Sequence, residues 1–597
     1  MKQAGKNYFT RLTLSLLLAG MGCLVLFQGK LNAQAHTYPA KYWVYFKDKG
    51  PAGLLKGKPL AKAARAHLSQ RAIERRLRRG SGPPFFDYSD LPVYKNYVHR
   101  IRAAGFRVWT ISKWLNAVSV FSTQDSVALL QSFPFVKNVS PVRIYIRKPV
   151  KRKSIEKSQN QAFEKALQTH SLHYGKSYDQ NAVIHVPEVQ DLGYNGAGVI
   201  IGMLDTGFNW KHHKAFDHLK VIAEYDFIHH DSNTANEAKD SLFYPDKPGQ
   251  DSHGTETLST LGGFAPGYLI GPAYGAGFIL AKTEYVYSET RIEEDNWVAG
   301  IEWEDSLGAD VVSSSLGYTK FDNGFKYNPK TDLNGRTAVT TIAAEWAVRK
   351  GIVVVNSVGN EYHRRPTTLI TPSDGDSVIA VGAVNFNGEI AFFSSDGPTS
   401  DGRIKPDVVA PGVSVYVVKP YTTDQYKRAD GTSFSCPLTA GVCALILSAY
   451  PNLTPMQVRA ALRNTADNAA NPNNLYGWGL INAYKALFYA KEEVAGFNGS
   501  TIPESIELSD VYPNPSSGFM SVRYDLPKEM DVTIEVYNVL GQEVKLLFQG
   551  KQFAGANHLI SWNGETNNGE PAPSGIYFIM LRTKQANAAK RILLLRQ

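Results

Sequence analysis

Cysteine is nearly absent from this chain, with three in 597 residues. Cys23 falls inside the apolar run from Leu12 to Phe27 near the N-terminus, which leaves Cys436 and Cys443 for the body of the protein. These two sit seven residues apart on a segment that reads as a helix, so their Cα atoms are about 10 Å apart at 1.5 Å per residue, too far for a disulfide. They are expected to be buried free thiols. A disulfide-stapled scaffold is excluded, and a chain of this length is expected to form three or four domains held by large apolar cores. Past Phe27 no stretch approaches the roughly 20 apolar residues of a transmembrane helix. The metal signatures are missing too: there is no His-Glu-x-x-His and no EF-hand spacing. His212, His213, His218, His229 and His230 are therefore expected in a surface loop and not around zinc.

Acidic residues are scarce in one place only. Residues 1–177 carry 31 Lys+Arg against 7 Asp+Glu, and the remaining 420 carry 33 against 47. The overall +10 thus hides a strongly basic N-terminal third and an acidic remainder. That polarity argues against nucleic-acid binding as the reason for the high pI. A basic segment facing an acidic one associates faster and in a preferred orientation. For Arg71-Ala72-Ile73-Glu74-Arg75-Arg76-Leu77-Arg78-Arg79 the alternative is a solvated helix face.

At the N-terminus Lys2, Lys6 and Arg11 precede the apolar run, and Ala33-Gln34-Ala35 offers small residues for cleavage, the pattern of a secretory signal peptide. A membrane anchor is the competing reading, disfavoured by the shortness of the run. Lipidation at Cys23 is disfavoured because Gly20-Met21-Gly22 lacks a branched residue ahead of it.

Three short motifs carry the chemistry. Leu204-Asp205-Thr206-Gly207, Ser252-His253-Gly254-Thr255 and Gly431-Thr432-Ser433-Phe434-Ser435-Cys436-Pro437 supply an aspartate, a histidine and a serine in that order. A hydroxyl needs an imidazole to take its proton and a carboxylate to orient that imidazole. Each motif alone is weak. Asp-Thr-Gly also suits an aspartic protease, but that chemistry needs a second carboxylate and no second copy exists. His-Gly is usually a loop, and Gly-Thr-Ser is more often a helix N-cap. Trypsin-like enzymes run His, Asp, Ser and α/β-hydrolases run Ser, acid, His.

Correctly ordered within roughly 310 residues, the three motifs resemble those of the subtilisin-like serine proteases. The resemblance implies Asp205, His253 and Ser433 as the catalytic triad, Asn360 of Gly359-Asn360 as an oxyanion donor, and Ser315-Leu316-Gly317 as the strand that pairs with an extended peptide. For Asn360 the alternative is a turn residue. Two departures stand out. Glu256 occupies the place where many relatives have a second histidine, and Phe434-Ser435-Cys436 replaces the commoner Met-Ala-Ser or Met-Ala-Thr. The chemistry requires no cofactor; structural calcium is compatible with acidic loops such as Asp226 to Asp251, and the metal ligands are not identifiable.

The pattern around the motifs predicts an α/β fold with a mainly parallel sheet flanked by helices. Val199–Leu204, Asp310–Ser314, Ile352–Ser357 and Val378–Val384 are nearly continuous apolar runs suited to strands buried on both faces. Their carboxyl ends should converge on one cleft. Segments around Trp297–Trp303 and Ala343–Ala347 suit crossover helices, and a helix from about Phe434 to Tyr450 should aim its N-terminal amides at developing negative charge.

Before that region, Trp114–Phe121 and Val136–Val139 read as strands around a helix at Asp125–Gln131. This small α+β unit resembles the propeptides of subtilisin-like enzymes, which block the cleft until removed. After it, residues 506–597 alternate as in a β-sandwich, with turns at Asn563-Gly564 and Asn568-Gly569. Tyr512-Pro513-Asn514-Pro515, Val536–Gly541, Ser574-Gly575-Ile576-Tyr577 and Lys590–Leu595 resemble the C-terminal sorting domain of type IX secretion cargo; an accessory binding sandwich is the alternative. The expected organisation is a signal peptide (1–35), a propeptide (36–145), a basic linker (146–178), a catalytic domain (179–490), a short linker (491–505) and the sorting sandwich (506–597). The expected function is a secreted endopeptidase, made as an autoinhibited precursor and acting on proteins or peptides. Its expected partners are its own propeptide and the type IX machinery, and its expected location is outside, or on the surface of, a Gram-negative cell. The alternative is a non-catalytic surface binding protein that kept the fold.

Overall fold

The computed structural model describes residues 40–123, 126–142, 170–237, 246–287, 291–321, 326–361, 367–498 and 505–596 apart from 510, 512, 513, 517, 519, 529, 553 and 554. The expected leader and residues 146–169 of the expected linker lie outside the described residues.

The N-terminal unit opens with strand β1 (Ala40–Phe46), then helices α1 (Gly57–Arg65), α2 (Gln70–Arg79) and α3 (Lys95–Ala103). Strands β2 (Arg107–Ser112) and β3 (Ala117–Ser122), helix α4 (Val127–Ser132) and strand β4 (Val136–Val142) follow. The four strands form an antiparallel sheet in the order β2-β3-β1-β4. Val44, Val118 and Val120 of that sheet are buried with Ile101 of α3 and Leu130 of α4, so alternate strand residues feed one small core.

The central unit is a seven-stranded, wholly parallel sheet. In chain order its strands are β5 (Ile200–Asp205), β6 (Lys220–Asp226), β7 (Gly277–Lys282), β8 (Val311–Ser314), β9 (Val353–Ser357), β10 (Ile379–Val384) and β11 (Val408–Pro411). Their spatial order is β11-β10-β9-β8-β5-β7-β6. The sheet therefore grows in both directions from β5, and the crevice beyond the carboxyl ends of β5 and β8 is a topological switch point.

Alternation decides what covers each face. Ile201, Met203, Val311, Val353 and Val355 meet helices α5 (Ser252–Gly262) and α8 (Thr432–Ala449) in one core. Leu204, Ile279, Val312 and Val354 meet α6 (Arg291–Leu307) and α7 (Val339–Arg349) in the other. Each strand is thus apolar on both faces, which is why the runs read as continuous. Among the described residues α8 is the one helix long and apolar enough to cross a membrane, yet 89% of it is buried inside the protein. It packs Leu438, Val442, Leu445 and Ile446 into the core, and it starts at Thr432, two residues before the expected position.

A hairpin of β12 (Val415–Val418) and β13 (Tyr426–Ala429) leads into α8. The C-terminal region forms two antiparallel sheets, of three and four strands, that share a core containing Met520, Ile534, Trp562 and Leu581.

Candidate active site

Asp205 ends β5 and is buried. Its Oδ1 lies 2.7 Å from His253 Nδ1 and also accepts the Thr206 amide at 2.7 Å, while Oδ2 accepts the Thr257 hydroxyl at 2.9 Å. Three donors therefore satisfy the carboxylate, and the one that matters for chemistry is the imidazole. His253 is the second residue of α5, so a rigid helix end holds its backbone; its side chain is 31% exposed and open to the cleft. With Nδ1 committed to Asp205, Nε2 is left as the acceptor for a proton.

Ser433 is the second residue of α8 and lies beneath the surface. The Phe434 ring stands 6.3 Å from the His253 ring, which puts the start of α8 against the start of α5. Asn360 follows β9. Its Oδ1 accepts both the Thr432 amide and the Thr432 hydroxyl at 3.0 Å. Those two donors identify the oxygen and leave the amide nitrogen to point elsewhere. A methyl group placed on Gly431 would sit 3.5 Å from Asn360 Nδ2 and 3.6 Å from the Ser433 amide nitrogen. Two N–H donors therefore line one small space, the arrangement that stabilises an oxyanion. Gly431 has φ +148°, in the region that favours glycine, and its lack of a side chain keeps that space open.

The Ser315 hydroxyl donates to the Ser433 carbonyl at 2.8 Å, so Ser315-Leu316-Gly317 runs directly beside the serine. Asn356 Nδ2 holds the Leu316 carbonyl at 3.0 Å. Ile370 occupies the space between Gly317 and Gly359: a Cβ on Gly317 would overlap its side chain, and one on Gly359 would lie 2.9 Å from its Cγ2.

Sequence reasoning missed several residues around the site. Thr257 was legible in principle, because it lies four residues after His253 on the same helix. Tyr421 had no local signal. Its hydroxyl bonds to Asp251 Oδ1, accepts from Gly249 N at 3.0 Å and from Asn236 Nδ2 at 3.1 Å, and so ties the β12–β13 hairpin to the loop entering α5. Ile370 was equally hidden.

The two departures acquire physical content. Glu256, buried one turn beyond His253, takes Lys427 Nζ at 2.7 Å; burial pushes its carboxyl up, against the pull of Lys427. Cys436 turns inward, its Sγ 3.4 Å from both the Ser314 and Val355 carbonyls, and burial pushes its thiol up to about 12. It is a packing residue set against strand ends and not a second nucleophile. Cys443 is likewise buried and free.

The histidines are dispersed. His213 is buried and bonds to Ala215 N and Gln425 O, His218 bonds to Gly262 O, and His229 bonds to Asp226. The expectation of a surface loop is corrected for His213, which caps a helical turn from inside. Among the described residues no group of three His, Cys, Asp or Glu side chains converges as a metal ligand set.

Comparison with known proteins finds relatives for three parts of the chain. Residues 196–479 match the model of the subtilase family, residues 41–162 that of the Peptidase S8 propeptide domain of Bacteroidota, and residues 514–587 that of the FlgD Ig-like domain. The chain is 35% identical over 311 residues to subtilisin DY of Bacillus licheniformis, covering 51% of this chain and 96% of that protein. It is 33% identical over 306 residues to subtilisin E of Bacillus subtilis (strain 168), covering 51% and 69%. The crystal structure of MycP1 with its N-terminal propeptide removed aligns with a TM-score of 0.41 at 22% identity, covering 52% of this chain and 96% of that one.

Proposed function

Since this chain belongs to the subtilase family and is a serine endopeptidase, we propose that it cleaves peptide bonds through Ser433, His253 and Asp205. The observation that carries this assignment is the 2.7 Å bond from His253 Nδ1 to a buried Asp205 at the switch point of the sheet. Ser433 Oγ attacks the scissile carbonyl carbon while its proton passes to His253 Nε2. The oxyanion forms between Asn360 Nδ2 and the Ser433 amide. The C–N bond breaks as His253 returns the proton to the departing amine, and water repeats the sequence on the acyl-enzyme to release the acid and restore Ser433. Protein groups carry every step, so no cofactor enters.

Substrate runs as an added strand along Ser315-Leu316-Gly317. Because Ile370 fills the space between Gly317 and Gly359, the slot beside the oxyanion site takes a small side chain, and bulky aromatic residues are excluded there. The N-terminal unit acts as an inhibitory propeptide, so the protein is made as an autoinhibited, exported precursor. The C-terminal unit, matched to an Ig-like model, serves as a type IX sorting domain on the strength of the motifs around Tyr512 and Lys590.

A fluorophosphonate probe tests the assignment. Label is expected on Ser433 in processed wild-type enzyme and none in Ser433→Ala; label elsewhere, or hydrolysis that survives Ser433→Ala, would sink it. For the C-terminal unit, deletion of residues 506–597 is expected to strand the enzyme inside the cell envelope, and unchanged export would refute sorting.

A further inference from the structure

Helix α2 holds the densest run of arginines in the chain, and three of them are buried: Arg75 at 0%, Arg76 at 1% and Arg79 at 2% exposure. Desolvating a guanidinium is costly unless it is paired with a counter-charge and hydrogen-bonded. All but one of the acceptors come from the central unit, the exception being Asp90 of the N-terminal unit itself. Arg75 donates to Asp305 Oδ1 at 2.5 Å, to the Ala309 carbonyl at 2.7 Å and to the Lys350 carbonyl at 3.2 Å. Arg76 bridges Asp305 Oδ2 at 2.6 Å and Asp90 Oδ1 at 2.5 Å. Arg79 reaches the Pro451 carbonyl at 2.6 Å and Asp310 Oδ1 at 3.1 Å, and Arg71 pairs with Asp310 Oδ2 and the Gly198 carbonyl.

These acceptors share a geometry. Asp305 lies in the last turn of α6, Lys350 follows α7, and Pro451 follows α8, so α2 sits where three helices end. Unpaired carbonyls and the negative ends of the helix dipoles favour cations there. The backbones meet closely: a Cβ on Gly308 would lie 3.0 Å from Ala72 N, and one on Gly351 would lie 3.0 Å from Arg79 C. The seat is far from the cleft. Ser433 lies in the first turn of α8 and Pro451 just past its other end, a separation of about 27 Å for 18 residues at 1.5 Å each.

We propose that this acidic seat is a docking site for the arginine helix of the propeptide, distinct from the cleft, and that it keeps the propeptide bound once the connecting chain is cut. The inference rests on reading residues 41–162 as a propeptide and adds a second point of control over the same active site. It also gives a role to part of the basic N-terminal third: the arginines of α2 match helix ends that become solvent-exposed carbonyls and carboxylates when the propeptide leaves.

The test uses the full chain with Ser433→Ala, which blocks self-processing, and the recognition site of a sequence-specific protease substituted into residues 150–160. After that cut, gel filtration at 0.15 M NaCl is expected to return both pieces in one peak. Arg71→Gln with Arg79→Gln is expected to speed dissociation about 100-fold, roughly tenfold for each arginine whose charge-assisted hydrogen bonds are removed. Immediate separation of the unsubstituted pieces, or an unchanged off-rate in the double variant, would overturn the proposal. Should the double variant fail to fold, hydrogen exchange on the cut, otherwise unaltered chain decides: amides of residues 70–79 protected as in the uncut chain support the seat, and fast exchange refutes it. Peptidase activity is not read, so an error in the catalytic assignment leaves these outcomes unchanged.

Discussion

Buried aspartates stand at both ends of the parallel sheet, and they differ in the company they keep. At the carboxyl end Asp205 faces one imidazole and two neutral donors. At the amino end Asp305 faces Arg75, Arg76 and Lys113, and although burial pushes its carboxyl up, these cations together with Lys350 hold it well below the ordinary range. A carboxylate that orients a proton carrier must have a partner that titrates near neutral pH, whereas one that anchors a docked helix does best with guanidinium groups that never deprotonate. The same side chain is thus suited to catalysis or to adhesion according to whether its partner can give up a proton. Exposure follows suit: the His253 side chain is 31% open to solvent, and the buried arginines of the seat are sealed.

The largest expected effect sharpens the catalytic half. Ser433→Ala should lower kcat by about 10⁶-fold, and Asp205→Asn by about 10⁴-fold with little loss of Tm, measured on processed enzyme with a peptide substrate. The matching change at the other end should do the reverse. Asp305→Asn is expected to leave kcat of processed enzyme within about twofold and to cost the Ser433→Ala precursor about 3 kcal/mol in urea unfolding, because Arg75 and Arg76 lose their shared counter-charge in a buried site. If Asp305→Asn instead impaired kcat, the two ends would not be separable.

Smaller effects refine the cleft. Asn360→Leu should reduce kcat by about 10²- to 10³-fold while KM stays nearly constant, since the amide acts on charge present only in the transition state. Ile370→Gly should raise kcat/KM for substrates with a large aromatic residue before the cleaved bond by about tenfold relative to alanine, read by peptide-library profiling. An unchanged ratio would show that Ile370 does not bound the specificity slot.

Much of the site was legible because its signals are local. Leu204-Asp205-Thr206-Gly207 joins a buried strand to a turn, so it places Asp205 at a strand end without further information. Ser433 at a helix start and the four parallel core strands follow from the same kind of reading; α8 starts two residues earlier than expected, at Thr432, whose amide and hydroxyl are held by Asn360, 72 residues away. Arg71–Arg79 shows the limit. A helix enters only with the solvated-face alternative; the helix forms, as α2, and burial of Arg75, Arg76 and Arg79 overturns the solvated face. Nothing within the segment announces acceptors 230 or 275 residues distant.

The sequence by itself determined the order of the aspartate, histidine and serine motifs, the α/β class and the asymmetry of charge, because each depends on residue type and short-range periodicity. Only the tertiary structure decided that Ile370 fills the space between Gly317 and Gly359, that Tyr421 ties down the loop entering the helix of His253 and that an arginine-rich helix is buried against three helix ends. Burying a charge is favourable or ruinous according to the partners it meets, and those partners are brought together by packing across hundreds of residues and not by neighbours in the chain.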